Sequence, residues 1–191
     1  MMRTATQRRR RPVFLAVAVC VVVMVVVLRL AVVQVFHIPS DSMAPTLNRG
    51  ELVVVNKLDR QPFSRGEVVV FDGRDYFAPG TDGGRYWVKR IIGLPGDRVA
   101  CCDQQGRITV NGSPLDEPYL FPGDAPSSFP FTVKVPAERL FLLGDHRSVS
   151  ADSRSHLGAP GGGMIPTERV VGSAWRILWP PERFLQRVQL R

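Results

Sequence analysis

The chain has 191 residues and a formal charge of +8, yet residues 37–191 carry only +2, because Arg3, Arg8 to Arg11 and Arg29 all precede the first acid. A polybasic start ahead of a near-neutral body argues against a nucleic-acid-binding surface spread over a fold. Pro 16 and Gly 17 together exceed the usual share, which excludes a helical bundle and suits short strands and turns. About 150 residues after the apolar N-terminal segment suffice for one domain with a sizeable core, and leave little room for two.

In chain order, residues 1–12 form a basic tail and residues 13–36 an apolar segment whose core, VFLAVAVCVVVMVVVL, is broken only at Arg29 before LAVV. At 1.5 Å per residue the segment covers roughly 36 Å as a helix, enough to span a bilayer. Arg29 lies near the far end, where it can snorkel, and the arginines at 8–11 set the N-terminus in the cytoplasm. A cleavable signal peptide is the competing reading. Against it, the run is long for such a peptide and the following QVFHIPS offers no small-x-small site, so the segment is expected to stay as an anchor, with residues 37–191 exported.

From Ile38 onward, β-branched runs alternate with turn residues. Strands are predicted over 51–58, 66–73, 86–93, 107–115, 131–135 and 139–145, with Asn111-Gly112 as a hairpin turn. Short helices are predicted near 44–47 and 181–188, and exposed loops over 74–84 and 148–163. The fold class is therefore mainly β and antiparallel. Cys20 sits in the anchor, and the adjacent Cys101 and Cys102 are expected as two thiols, with a vicinal disulfide as the less favoured state. No His, Cys or carboxylate cluster has metal-ligand spacing, so no metal or cofactor is expected.

There are 22 arginines and three lysines, so each lysine raises the question of why arginine would not serve. Lys57 closes a strand and Lys134 alternates outward between valines. Lys89 instead stands in the apolar run Tyr86-Trp87-Val88-Lys89-Arg90-Ile91-Ile92. A lysine among apolar groups can lose its proton near neutral pH, which arginine cannot, so Lys89 is a candidate general base, with a structural ion pair as the competing reading. A base needs a nucleophile, and Ile38-Pro39-Ser40-Asp41-Ser42-Met43-Ala44-Pro45-Thr46-Leu47 holds two serines between stiffening prolines just past the anchor. On composition alone, Ser40, Asp41 and Ser42 could equally be a helix cap and turn.

The string IPSDSMAPTL at 38–47 resembles the signature P-S-x-S-M-x-P-T-L of bacterial type I signal peptidases, membrane-bound serine proteases with a Ser-Lys dyad. GELVVVNKL at 50–58, VKRIIGLPGD at 88–97, GDHRSVSADSR at 144–154 and the closing Gly172-Ser173-Ala174-Trp175 to Trp179-Pro180 follow in the family's order, so the resemblance covers nearly the whole chain. It implies a signal-peptidase-like β-rich catalytic domain with a small inserted subdomain, here within about 98–143. It also implies that Ser42 is the nucleophile, Lys89 the base, Ser40 an oxyanion-hole hydroxyl and Ser150 the serine that hydrogen-bonds the lysine. Arg90, Asp145, Arg147, Asp152 and Arg154 match charged residues that tie the active-site loops together, and Phe36, Ile38, Met43, Leu47, Trp87 and Val88 match the substrate-binding surface. The implied reaction is removal of signal peptides after small-x-small sites, at the outer face of the cytoplasmic membrane. The implied partners are preprotein signal peptides, the lipid bilayer and the translocation machinery, with no nucleic acid.

Two positions depart from the pattern: Asp41 stands where the family often has Gly, and His146 where it often has Asn. His146 and His156 raise a rival Ser-His mechanism, disfavoured because the lysine position is filled by Lys89. Two further readings compete with a general signal peptidase. One is a non-enzymatic membrane-anchored β protein, and the other is a relative dedicated to one substrate or to cleaving itself. Self-cleavage would need an Ala-Gly-like site in residues 1–36, which hold none.

Overall fold

A computed structural model describes residues 5–58, 61–77, 84–159 and 161–188. The chain opens with α1 (Ala5–Val32) and passes directly into β1 (Val33–His37). The α1 side chains over residues 13–27 are all exposed and apolar. Among the described residues no helix is long and apolar enough to cross a membrane. The side chains of the basic tail lie outside the described residues.

The apolar segment expected as an anchor over 13–36 is thus helical only to Val32. Val33-Gln34-Val35-Phe36 pair antiparallel with β2 (Leu52–Asn56), from Val33 opposite Asn56 to His37 opposite Leu52. A valine-rich run satisfies a helix and a strand alike, and here the exposed edge of β2 decides.

The remaining strands are β3 (Val68–Asp72), β4 (Tyr86–Gly93), β5 (Arg98–Cys101), β6 (Ile108–Val110), β7 (Ser113–Pro114), β8 (Phe131–Lys134), β9 (Arg139–Leu143), β10 (Ile165–Pro166) and β11 (Val170–Trp179). They form a seven-stranded sheet in the order β1-β2-β11-β3-β4-β9-β10 and a four-stranded sheet in the order β7-β6-β5-β8, every pairing antiparallel. The smaller sheet is built wholly from chain between β4 and β9. Its β6–β7 hairpin turns at Asn111 and Gly112, with φ of 54° and 83°, the left-handed pair that a two-residue hairpin needs.

Three apolar clusters fill the interior. One lies under the segment 38–47 that carries Ser42, joining Ile38, Met43 and Leu47 to Val53, Val55, Val68 and Val70. A second joins Val69, Phe71, Ile91 and Leu142, and a third packs the smaller sheet through Val99, Ile108 and Phe131 against Phe141 and Leu143. Burial at this scale contributes about 25 cal/mol per Å² of apolar surface, which is what fixes β4 between β3 and β9.

Several local expectations change. Residues 43–47 make only turns, closed by Leu47 N–H to the Met43 carbonyl at 2.9 Å, and the C-terminal helix shrinks to a 3-10 turn at Pro181–Arg183. The loop expected to be exposed over 148–163 contains a 3-10 turn (Ser153–His156) and buries Ser150, Asp152, Ser153 and Arg154, because its charges pair with one another. Part of the loop expected at 74–84 lies outside the described residues. Cys101 and Cys102, expected as thiols, are joined as a disulfide at the end of β5.

Candidate active site

Ser42 and Lys89 are 47 positions apart in sequence, and the fold brings them into contact. The nucleophile segment leaves β1 at His37 and is held by Ile38 N–H to the Glu51 carbonyl at 2.9 Å and Gly50 N–H to the Ile38 carbonyl at 2.8 Å. Its apolar residues are sunk in the core: Ile38, Met43 and Leu47 are each at most 2% exposed. The polar residues between them are thereby left on the surface side.

Lys89 lies in β4 opposite Val69, 2% exposed, and its Nζ is 2.8 Å from Ser42 Oγ. Burial lowers its pKa to about 8, against the opposing pull of the Asp152 and Asp145 charges, which favour the ammonium. A substantial neutral fraction therefore exists near neutral pH, and the amine can accept the serine proton. The Trp87 ring, centroid 5.7 Å from Nζ, adds to the apolar enclosure. Ser40 Oγ donates to Ser42 Oγ at 3.3 Å, so both hydroxyls converge at one point.

Ser150 is close but differently engaged than the resemblance implies. Its Oγ is buried and makes no hydrogen bond among the described residues, to Lys89 or any other group. It sits against Gly144, where an added β-carbon would collide with Ser150 Oγ and lie 2.5 Å from the Ser42 carbonyl oxygen. Glycine at 144 is what lets the two segments approach.

The five charged residues form a buried framework. Arg90 follows Lys89 on β4, and its guanidinium grips Asp145 through Nε at 2.8 Å and Nη2 at 2.6 Å, both side chains wholly buried. Arg154 pairs with Asp152 in the same two-pronged way at 2.9 and 2.8 Å, and Asp152 also accepts from Gly144 N–H at 3.1 Å. Arg147 reaches back to the Gly144 carbonyl at 2.8 Å and across to Glu117 at 2.5 Å.

Thr46, Glu117 and Tyr119 join this framework without having been expected in it. Thr46 Oγ1 donates to Asp145 at 2.5 Å, tying the nucleophile segment to the Arg90 pair, Glu117 neutralises Arg147, and Tyr119 lies under the Arg90 guanidinium at 3.9 Å. Thr46 stands within the matched motif, and that string is the one signal that points to it. Glu117 and Tyr119 lie in a stretch without strand or helix pattern, and nothing local marks them.

A cleft of about 490 Å³ opens beside the serine and lysine, lined by Phe36, Ile38, Met43, Trp87 and Val88 together with Ser40, Ser42 and Lys89. Leu47, expected on this surface, is instead fully buried in the core beneath the nucleophile segment and does not line the cleft. Neither imidazole bonds Ser42 Oγ: the His156 ring nitrogens lie 2.9 and 3.1 Å from the carbonyls of Asp152 and Phe77, and the His146 ring is stacked on Phe121. Among the described residues no group of three His, Cys, Asp or Glu side chains is placed to hold a metal ion.

A family model described as signal peptidase, peptidase S26, matches residues 11–179. The chain belongs to this family. Membership makes it a hydrolase of peptide bonds, of the class that acts on signal peptides. It is 38% identical over 160 residues to a probable signal peptidase I-2 of Synechocystis sp., covering 82% of this chain and 67% of that one. It is 37% identical over 193 residues to a signal peptidase I of Bacillus caldolyticus, covering 92% and 93%. A crystal structure of a signal peptidase I from Enterococcus faecalis, 26% identical, aligns over 59% of this chain and 97% of its own with a TM-score of 0.45.

Proposed function

We propose that the chain is a membrane-bound signal peptidase that cuts preproteins after small-x-small sites with a Ser42–Lys89 dyad. The observation that carries this reading is the 2.8 Å approach of a buried lysine, its pKa lowered to about 8, to a serine at the mouth of an apolar cleft. Neutral Lys89 takes the Ser42 proton as Oγ attacks the scissile carbonyl carbon. The carbonyl oxygen becomes an anion, bonded by the Ser40 hydroxyl and the Ser42 backbone N–H. Collapse breaks the C–N bond, the Lys89 ammonium hands its proton to the leaving amine, and an acyl-serine remains. Lys89 then takes a proton from a water that attacks the ester carbonyl and returns it to Ser42 Oγ as the C–O bond breaks, releasing the acid and restoring the enzyme.

The cleft takes the acyl side in extended form, its apolar walls facing the side chains before the cut, and the preference for small ones there follows from the family resemblance. Arg90, Asp145, Asp152 and Arg154 hold the geometry rather than touch the bond, and Ser150 packs beside the Ser42 carbonyl. Membrane attachment rests on the apolar, exposed helix of residues 13–27 behind a basic N-terminus, entering β1 five residues before Ile38. The N-terminus then lies in the cytoplasm and residues 37–191 outside it, with the signal peptide and the bilayer as partners.

The test is cleavage of a precursor peptide with an Ala-x-Ala site by the full chain in detergent or lipid. Ser42→Ala is expected to abolish cleavage with only the small change in melting temperature that losing its bond to Lys89 brings, and kcat/KM should rise with pH through about 8 as Lys89 loses its proton. Full activity in Ser42→Ala, or a rise centred near 6.5 that vanishes in His146→Ala, would overturn the dyad.

A further inference from the structure

Two clefts meet at the nucleophile. Besides the apolar one, a groove of about 240 Å³ is lined by Ser40, Asp41, Ser42, Arg49, His146 and Val149, and Ser40 and Ser42 belong to both. A polypeptide whose bond lies over Ser42 Oγ must extend to both sides of it. If the apolar cleft receives the acyl side, as the proposed dyad mechanism has it, the groove is left for the residues that depart with the amine.

The groove is built for a polar chain. Asp41 projects between the two serines, its backbone carbonyl accepting from Ala44 N–H at 2.9 Å, and its exposed carboxylate makes no side-chain hydrogen bond or ion pair among the described residues. Arg49, also exposed, is turned inward, its Nε donating to the Pro39 carbonyl at 2.9 Å. His146 is fastened twice: its backbone N–H donates to the Ser42 carbonyl at 3.2 Å, and its ring stacks on Phe121 with centroids 3.8 Å apart. Its Nδ1 is buried without a hydrogen-bond partner among the described residues, and its Nε2 lies 4.0 Å from Asp124 Oδ2. Asp41 and His146 are the two positions at which this chain departs from the pattern it resembles.

We propose that this groove is a leaving-side subsite for the first two residues after the cut, and that Asp41 shifts its preference toward a cationic side chain there, against the opposing charge of Arg49. The inference rests on the Ser-Lys reading for the direction of the substrate. Arg49 keeps its positive charge while donating to the neutral Pro39 carbonyl, so the two charges oppose one another in the groove, and the part played by Asp41 is read from the change in preference when it alone is removed. An exposed charge pair of this kind changes rates by about 2- to 5-fold, and salt weakens it.

The experiment uses the full chain in detergent and precursor peptides identical up to the cut, with lysine or glutamate at the first or second position after it. The readout is the lysine-to-glutamate ratio of kcat/KM within each variant, which cancels any general loss of activity. At low salt the ratio is expected to fall by about 2- to 5-fold from wild type to Asp41→Asn and further in Asp41→Arg, and these differences should shrink in about 0.5 M salt. The ratio for alanine against glycine just before the cut should not move in Asp41→Asn. An equal lysine-to-glutamate ratio in wild type and Asp41→Asn, a rise of that ratio in Asp41→Asn, or a shift of both ratios together would overturn the subsite. Cleavage that persists in Ser42→Ala would instead remove the dyad reading, and this inference with it.

Discussion

The two sheets bury different things. Around the four-stranded sheet the core is almost wholly apolar, and its ionic groups Arg98, Arg107 and Lys134 stay exposed. Where β4 and β9 of the seven-stranded sheet meet the 144–154 loop, Lys89, Arg90, Asp145, Arg147, Asp152 and Arg154 are all buried. Taking charges out of water costs several kcal/mol per ion, and a buried pair recovers this only with good geometry and full hydrogen bonding. A region that accepts this cost gains directional bonds that apolar packing cannot supply. Here those bonds fix the segment that carries Ser42, through Thr46 and Asp145, at a set distance from the strand that carries Lys89.

Breaking that framework should have the largest effect. Asp145→Asn leaves Arg90 without its carboxylate in the interior and is expected to cost about 3 to 5 kcal/mol in urea denaturation. Because the Asp145 charge favours the Lys89 ammonium, the same variant should move the pH midpoint of activity below about 8. A stability loss with an unmoved midpoint would mean that the framework and the base are independent.

Lys89→Met sharpens the contrast, since it removes a buried charge that has no ion-pair partner within salt-bridge distance among the described residues. With the lysine pKa lowered from 10.5 to about 8, the folded protein disfavours the ammonium, and that penalty, about 3 kcal/mol, is fully present below pH 8. It shrinks as pH rises from the folded toward the unfolded value and is gone above both. Lys89→Met should therefore be inactive yet as stable as wild type or more so near pH 6, less the lost bond to Ser42, with its advantage fading toward pH 10. A large drop in melting temperature at pH 6 would mark Lys89 as a structural cation instead.

Ser40→Ala should lower kcat by roughly 10²-fold with little change in KM, as expected for a donor that bonds mainly the transition state. A loss confined to KM would assign Ser40 to substrate positioning. The smallest effect belongs to the other sheet. Arg107→Ala removes a half-exposed partner of Asp103 and should leave both melting temperature and kcat unchanged within error.

Legibility in the sequence follows the same division. Lys89 stands out because a cation inside Trp-Val-x-Arg-Ile-Ile contradicts its surroundings, and the strands with clean β-branched runs are readable one by one. The ten residues of β11 do not read as a strand. Gly172 and Arg176 interrupt the apolar pattern, and irregular register at Ala174 to Arg176 and at Ile177 to Trp179 breaks its period of two. β1 is hidden because its valines continue the apolar run of the helix without a break in composition. The partners of the buried charges are the least visible, since Glu117 meets Arg147 across 30 positions and only the fold decides which carboxylate arrives.

Gly144 carries a consequence for how this protein can vary. A methyl group there would have to displace both the Ser42 carbonyl and the Ser150 hydroxyl, which belong to segments more than a hundred positions apart. No single compensating change can make room, because trimming Ser150 leaves the backbone oxygen of Ser42 where it was. Substitutions in the two segments should therefore be strongly epistatic: a change tolerated in one will depend on the residue present in the other, while position 144 itself admits no side chain at all.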